Sequence, residues 1–155
     1  MILPIDRQLL QESTRLILEN YREFFRRDLM PSKDSSGAVE ALFNSPRVVL
    51  YAVGTIGSDH IFSYANFAAL TLFETSWDKL IGQPSSESAE PVHREERRDF
   101  LDEVSRRGFI ENYTGIRISQ KGRRFRILDA TVFNVLGSEG SYLGQCATFT
   151  DWESV

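Results

Sequence analysis

The sequence predicts an α+β domain: a five-stranded antiparallel sheet with short helices inserted between its second and third strands, preceded by an amphipathic helix. Three observations carry this. Two long runs rich in β-branched and aromatic residues, 108–119 and 123–134, flank a turn containing Lys121-Gly122. Two shorter runs of the same kind, 48–53 and 61–66, precede a stretch of helical periodicity. At the amino terminus, apolar side chains recur at three- and four-residue intervals.

In chain order, residues 5–28 form the first helix. Its stripe is Ile5, Leu9, Leu10, Leu16, Ile17, Tyr21, Phe24 and Phe25, and charged residues occupy much of the remaining surface. Arg26 and Arg27 suit the negative pole of the helix dipole, and Pro31 stops the helix. Residues 31–37 are a short polar connection, and 39–44 make one helical turn. Strands follow at 48–53 and 61–66, joined by the turn 54–59. Asn66 is placed to cap a helix carrying Phe67, Leu70, Leu72 and Phe73, and 77–82 form one more turn closed by glycine. Residues 83–92 read as a loop, and 94–107 as a charged helix ended by Gly108. The long hairpin comes next, then a loop at 137–141 and a last strand, 142–152. The organisation is an amino-terminal helix, 1–30, and one structural unit, 39–155.

Composition narrows the function classes. With 155 residues, 41% of them hydrophobic and 26% charged, the chain suits a single globular domain. No apolar run is long enough to cross a bilayer, and the start lacks a secretory signal, so no membrane role and a cytoplasmic location are expected. A net charge of −4 argues against nucleic-acid binding, which needs clustered cations to neutralise phosphates. The lone Cys146 excludes an intrachain disulfide and a cysteine-cluster metal site.

The order of elements resembles the PAS domain, and local strings resemble the MEKHLA family, a PAS-like group. The strings are Tyr64-Ala65-Asn66-Phe67-Ala68-Ala69-Leu70, Ser76-Trp77-Asp78-Lys79-Leu80-Ile81-Gly82, Arg94-Glu95-Glu96-Arg97, Tyr113-Thr114-Gly115-Ile116-Arg117-Ile118-Ser119, Gly122-Arg123-Arg124-Phe125-Arg126-Ile127 and Asp129-Ala130-Thr131-Val132, with Gly144-Gln145 and Trp152. They span 47–152 and match a small bacterial-type member. The resemblance implies a sensory or interaction role rather than a reaction.

The candidate site lies on the hairpin. A two-residue loop at Lys121-Gly122 sets Ile118 opposite Phe125, Ile116 opposite Ile127 and Thr114 opposite Asp129. Asp129 then shares a face with Phe125, Ile127, Thr131 and Phe133. A carboxylate on an apolar face is either satisfied by a neighbour such as Thr114 or placed for a ligand. The candidate ligand set is Asp129, Thr114, Phe125, Ile127, Phe133, Trp77 and Phe73, suited to a small apolar or mixed-polarity molecule. Arg117 and Arg126 share the opposite face with Arg124 diagonal, as a solvated edge or an anion site. Leu128, Ala130 and Val132 on that face need a cover, for which the first helix is the natural candidate.

Other chemistry is weakly supported. The Asn-Cys-Arg-Phe-Leu-Gln string of flavin-cysteinyl photosensors is absent, so that photochemistry is not expected. Haem is not expected either: His93 begins a polar helix and His60 sits beside a turn. Two alternatives to the sensory reading stay open: a small enzyme with Asp129 as general base, and a surface-only interaction module with a filled core. Leu9, Leu16, Ile17, Tyr21, Phe24 and Phe25 are the candidate interface for self-association or a protein partner.

Overall fold

The computed structural model describes residues 6–30 and 37–155. The expected position of Ile5 and nearly all of the 31–37 connection lie outside the described residues. Helix α1 (Arg7–Phe25) starts where Asp6 accepts the backbone N–H of Gln8 at 2.9 Å and ends at Arg26 in a left-handed conformation. Then come α2 (Ala38–Phe43), β1 (Val48–Val53), β2 (Ile61–Ala65), α3 (Phe67–Leu72), α4 (Trp77–Leu80), α5 (Pro91–Arg107), β3 (Phe109–Ile118), β4 (Arg124–Leu136), β5 (Tyr142–Phe149) and β6 (Asp151–Ser154). The expected loop before α5 contains a 3₁₀ turn at Ser85–Ser88.

The antiparallel sheet has the order β2-β1-β5-β4-β3, with β6 also paired to β4. It counts six strands rather than five because the last strand is interrupted at Thr150. Its register on β4 survives the break, with Thr131 opposite Thr148 and Leu128 opposite Asp151, so β6 extends β5. After Phe149 the strand has left β1 and contacts only β4.

Asn66 ties the first half together. Its Oδ1 accepts the N–H groups of Ala69 (3.1 Å) and Val49 (3.0 Å), capping α3 and extending β1. Its Nδ2 donates to the carbonyls of Leu42 (3.1 Å) and Arg47 (2.6 Å), so a fully buried amide uses all four hydrogen-bonding positions.

The first helix covers the sheet of its own chain. Leu16, Ile17 and Tyr21 are buried in a cluster with Val49, Tyr51, Phe133, Val135 and Cys146, and Phe24 and Phe25 pack against it. Tyr21, Phe24 and Phe25 surround Phe133 with edge-on and tilted ring contacts, and Phe109 meets Phe25 edge-on. Each large side chain buried this way contributes roughly 1.5–3 kcal/mol. Asn20 fixes the helix to the end of β4, donating to Leu136 O at 3.0 Å and accepting Leu136 N–H at 2.9 Å. The assignment of this stripe to a partner interface is therefore corrected: only Leu9 among its named residues is exposed. Among the described residues no helix is long and apolar enough to cross a membrane.

Candidate functional site

The hairpin does not close as a two-residue loop. Gly122 N–H donates to Ser119 O at 3.0 Å and Ser119 N–H to Arg123 O at 2.9 Å, with Gly122 at φ +86°. This is a three-residue loop, a turn followed by a left-handed glycine, and it shifts the pairing by one residue. Ile118 now faces Arg124, Arg117 faces Phe125 and Gly115 faces Ile127. Since strand side chains alternate, that slip turns every β3 side chain of the expected pairing to the other face.

A second irregularity corrects Asp129. Gly115 pairs with Ile127 and Tyr113 with Ala130, so Leu128 and Asp129 together oppose Thr114. Asp129 occupies this bulge at φ +52°, a conformation that aspartate tolerates better than most residues, and its side chain is exposed. The bulge restarts the alternation. Phe125 and Ile127 before it, and Ala130 and Val132 after it, face the helices α3 to α5, whereas Phe133 and Val135 face α1. Neither Asp129 nor Thr114 enters the interior, so a ligand or general-base role there loses its geometry. Phe133 belongs to the α1 side. Trp77 is half-buried and meets Tyr64 edge-on, away from the cavity.

The cavity lies between the sheet and α5 and encloses about 250 Å³. Of the seven candidate ligand residues, Phe73 and Ile127 line it, and Phe125 packs behind Phe73 with ring centres 5.2 Å apart. Its remaining apolar wall comes from Leu50, Ala52, Phe62, Phe100 and Phe149.

Two of its polar groups, Tyr113 and Arg117, are ones the register slip brought in. Arg117, only 7% exposed, donates to Tyr113 Oη at 3.1 Å and to Ile116 O at 2.9 Å. Phe100 stacks on the Tyr113 ring at 3.6 Å, and the Arg117 guanidinium lies 5.6 Å from that ring's centre. Gly115 permits this arrangement: a Cβ there would collide with the Tyr113 hydroxyl. From α5, Arg97 donates to Ser85 Oγ at 2.9 Å. Burial, and then the neighbouring charge of Arg117, push the Arg97 guanidinium down to about 10.

The rest of the wall is held by hydrogen-bond networks. Arg94 Nε donates to the carbonyls of Ser86 and Ala89, which ties the 3₁₀ turn to α5. Asp59 accepts the Ser86 N–H and hydroxyl at 3.2 and 2.6 Å. Gln145 donates to Leu101 O and Ser105 Oγ, both at 3.0 Å, pinning α5 to β5.

His60 also lines the cavity, but both ring nitrogens have partners. Ser58 O, at 2.9 Å, can only accept, so Nδ1 carries the proton and Nε2 accepts from the Tyr142 hydroxyl at 2.7 Å in the neutral ring. His93 is half-buried near the start of α5. Cys146 is fully buried, and burial pushes its thiol far above the ordinary range. Arg124 pairs with Glu90 and Arg126 with Glu153, so these two form the solvated edge that was one of their expected readings. Among the described residues no cluster of three or more His, Cys, Asp or Glu side chains is arranged to hold a metal.

The sequence reading missed Arg97 and Phe100, counted Tyr113 among the aromatics able to line a pocket, and put Arg117 on the wrong face. The available signal was the alternation Tyr113-x-Gly115-x-Arg117, in which a glycine between two large residues of one face marks a side chain lying along the strand.

Comparison with known proteins agrees with this architecture. The PAS domain of a protein from Colwellia psychrerythraea is similar with a TM-score of 0.64 at 14% identity, covering 77% of this chain and 95% of that chain. An RNA-binding light-oxygen-voltage receptor is similar with a TM-score of 0.59 at 17% identity, covering 81% of this chain and 36% of that one. A PAS domain from a two-component sensor histidine kinase gives 0.56 at 16% identity, over 75% and 91% of the two chains. These likenesses establish the fold, that of the PAS domain. No curated protein matches. The family model described as the MEKHLA domain matches residues 11–154, and the chain therefore belongs to the MEKHLA domain family.

Proposed function

We propose that this PAS-like chain is a sensory module that takes a small molecule into the cavity between the sheet and α5 and signals through association with itself or a protein partner. The observation that carries the reading is the cavity itself, about 250 Å³, lined by apolar side chains together with polar and charged groups that include Asp59, His60, Arg97 and Arg117. That is near the lower end of the range, ~300–1,000 Å³, in which proteins hold small ligands, so the occupant is small. The helix α5 offers a route for the signal, because it forms one wall and is tied to the sheet through Gln145 and Asn134. The ordinary composition and the single buried cysteine suit a reducing cytoplasm.

The test is a filled cavity. Ala130→Phe is expected to place a ring in the space and to remove any ligand that native mass spectrometry finds on the protein purified from its source. Sedimentation velocity of the loaded and emptied protein then reads the association step. A filled variant that keeps the same bound mass as the parent overturns the cavity as the ligand site.

A further inference from the structure

Four arginines, Arg94, Arg97, Arg98 and Arg117, line the cavity, and two of them interact. Arg117 is almost wholly buried and Arg97 half-buried, both line the same space, and each is near enough to the other for repulsion to register. Among the described residues neither makes an ion pair within 4.0 Å, while Arg7, Arg15, Arg107, Arg124 and Arg126 on the surface all do. The acceptors they do find are neutral: Ser85 Oγ, Tyr113 Oη and Ile116 O. Asp59 is near enough to favour the Arg97 cation but makes no ion pair with it within 4.0 Å, and each of its oxygens accepts from Ser86.

Each guanidinium carries five N–H donors in a planar fork, of which the hydrogen bonds above use one on Arg97 and two on Arg117. A buried charge without a counter-charge is costly, and two of like sign compound the cost. The surroundings hold that costly arrangement in place rather than relieving it. Tyr113, wedged between Phe100 and Arg117 and lying over Gly115, fixes the direction of the Arg117 fork. Such preorganised donors are complementary to a group with negative charge.

Resting on the cavity reading, we infer that the occupant is an organic anion: a carboxylate or phosphate head held between Arg97 and Arg117, on a small apolar or aromatic body packed against Phe73, Phe100 and Ile127. A neutral molecule of the same shape would fill the space and leave both charges uncompensated. The anion compensates them and gains charge-assisted hydrogen bonds from both forks.

The experiment is a titration of the ¹⁵N-labelled full chain with phenylacetate, phenyl phosphate and the neutral phenylacetamide, following the backbone amides of Ile127 and Ala147 and the side-chain Nε–H groups of Arg97 and Arg117. At least one anion is expected to move all four signals saturably, and the amide to bind about tenfold more weakly or worse. The tighter of the two anions identifies the head group. Arg97→Met and Arg117→Met are each expected to weaken the anion about tenfold and leave the amide unchanged, while Arg117→Lys retains part of the affinity. If the amide binds as well as the anions, or a neutral molecule accompanies the protein from its source, the anion class is overturned and the cavity reading stands. If no probe moves the cavity amides and the protein from its source is empty, both are overturned.

Discussion

The two faces of the sheet are built to different standards. The outer face meets α1 in a close-packed layer in which Ile17, Phe133, Val135 and Cys146 have no exposed surface. The inner face meets α3, α4 and α5 around an open volume and includes Arg97 and Arg117, neither in an ion pair among the described residues. The strands are the same; alternate residues of β1, β4 and β5 serve one face or the other. The difference separates the work of holding the fold from the work of recognition. Function-bearing sites depart from the packing and charge rules that the rest of a protein obeys.

The largest effect should come from breaking the well-packed face. Phe133→Ala, which empties the centre of the aromatic layer, is expected to cost about 3–5 kcal/mol in urea unfolding. Ile127→Ala, made on the cavity face, should cost less, near the ~2 kcal/mol floor for such deletions, because one side of Ile127 already faces empty space. Equal costs would remove the contrast between the faces.

A substitution on the cavity face should move stability the other way. Arg97→Met replaces a desolvated cation by an apolar side chain of similar reach, and the ligand-free protein is expected to gain about 1 kcal/mol. The sign follows from linkage. The folded value, about 10, lies below that of an ordinary guanidinium, so the unfolded chain holds its proton more tightly and stability rises only as pH climbs through that interval. Below it the penalty is constant, and the gain should be the same at pH 6 and pH 8. A loss of stability, measured by thermal melting, would mean that the arginine is a structural tie through Ser85 rather than a strained binding group.

The smallest effect concerns the bulge. Asp129→Val asks a β-branched residue to adopt φ +52° and should cost about 1–2 kcal/mol, whereas Asp129→Gly should be neutral or slightly stabilising. Asp129→Asn should change neither stability nor ligand retention, since the side chain is in solvent. Lost ligand retention in the asparagine variant would return Asp129 to the recognition surface.

Much of the architecture was readable in the residues. The strand 48–53, Asn66 as a cap, the turn at 77–80, the Gly108 stop and the strand from 142 all stand where propensity and periodicity put them. These are local features, decided by side chains within a few positions of one another. The site was much less readable. Phe73 and Ile127 are in the cavity wall, but Asp129, Thr114, Phe133 and Trp77 are not, and every one of those errors follows from register or from packing between distant segments.

The sequence by itself determined the α+β class, the order of elements, the amphipathic first helix and the hairpin centred on Gly122. Only the tertiary structure decided which face each hairpin residue serves. Gly122 is equally compatible with a two-residue and a three-residue loop, and the choice inverts the face of every residue in β3. The bulge at Asp129 then inverts the second half of β4 once more, at the point where its neighbour changes from β6 to β5. Burial against α1 on one side and the α5 wall on the other is not a local quantity, and it is what sends Arg117 inward and Asp129 out.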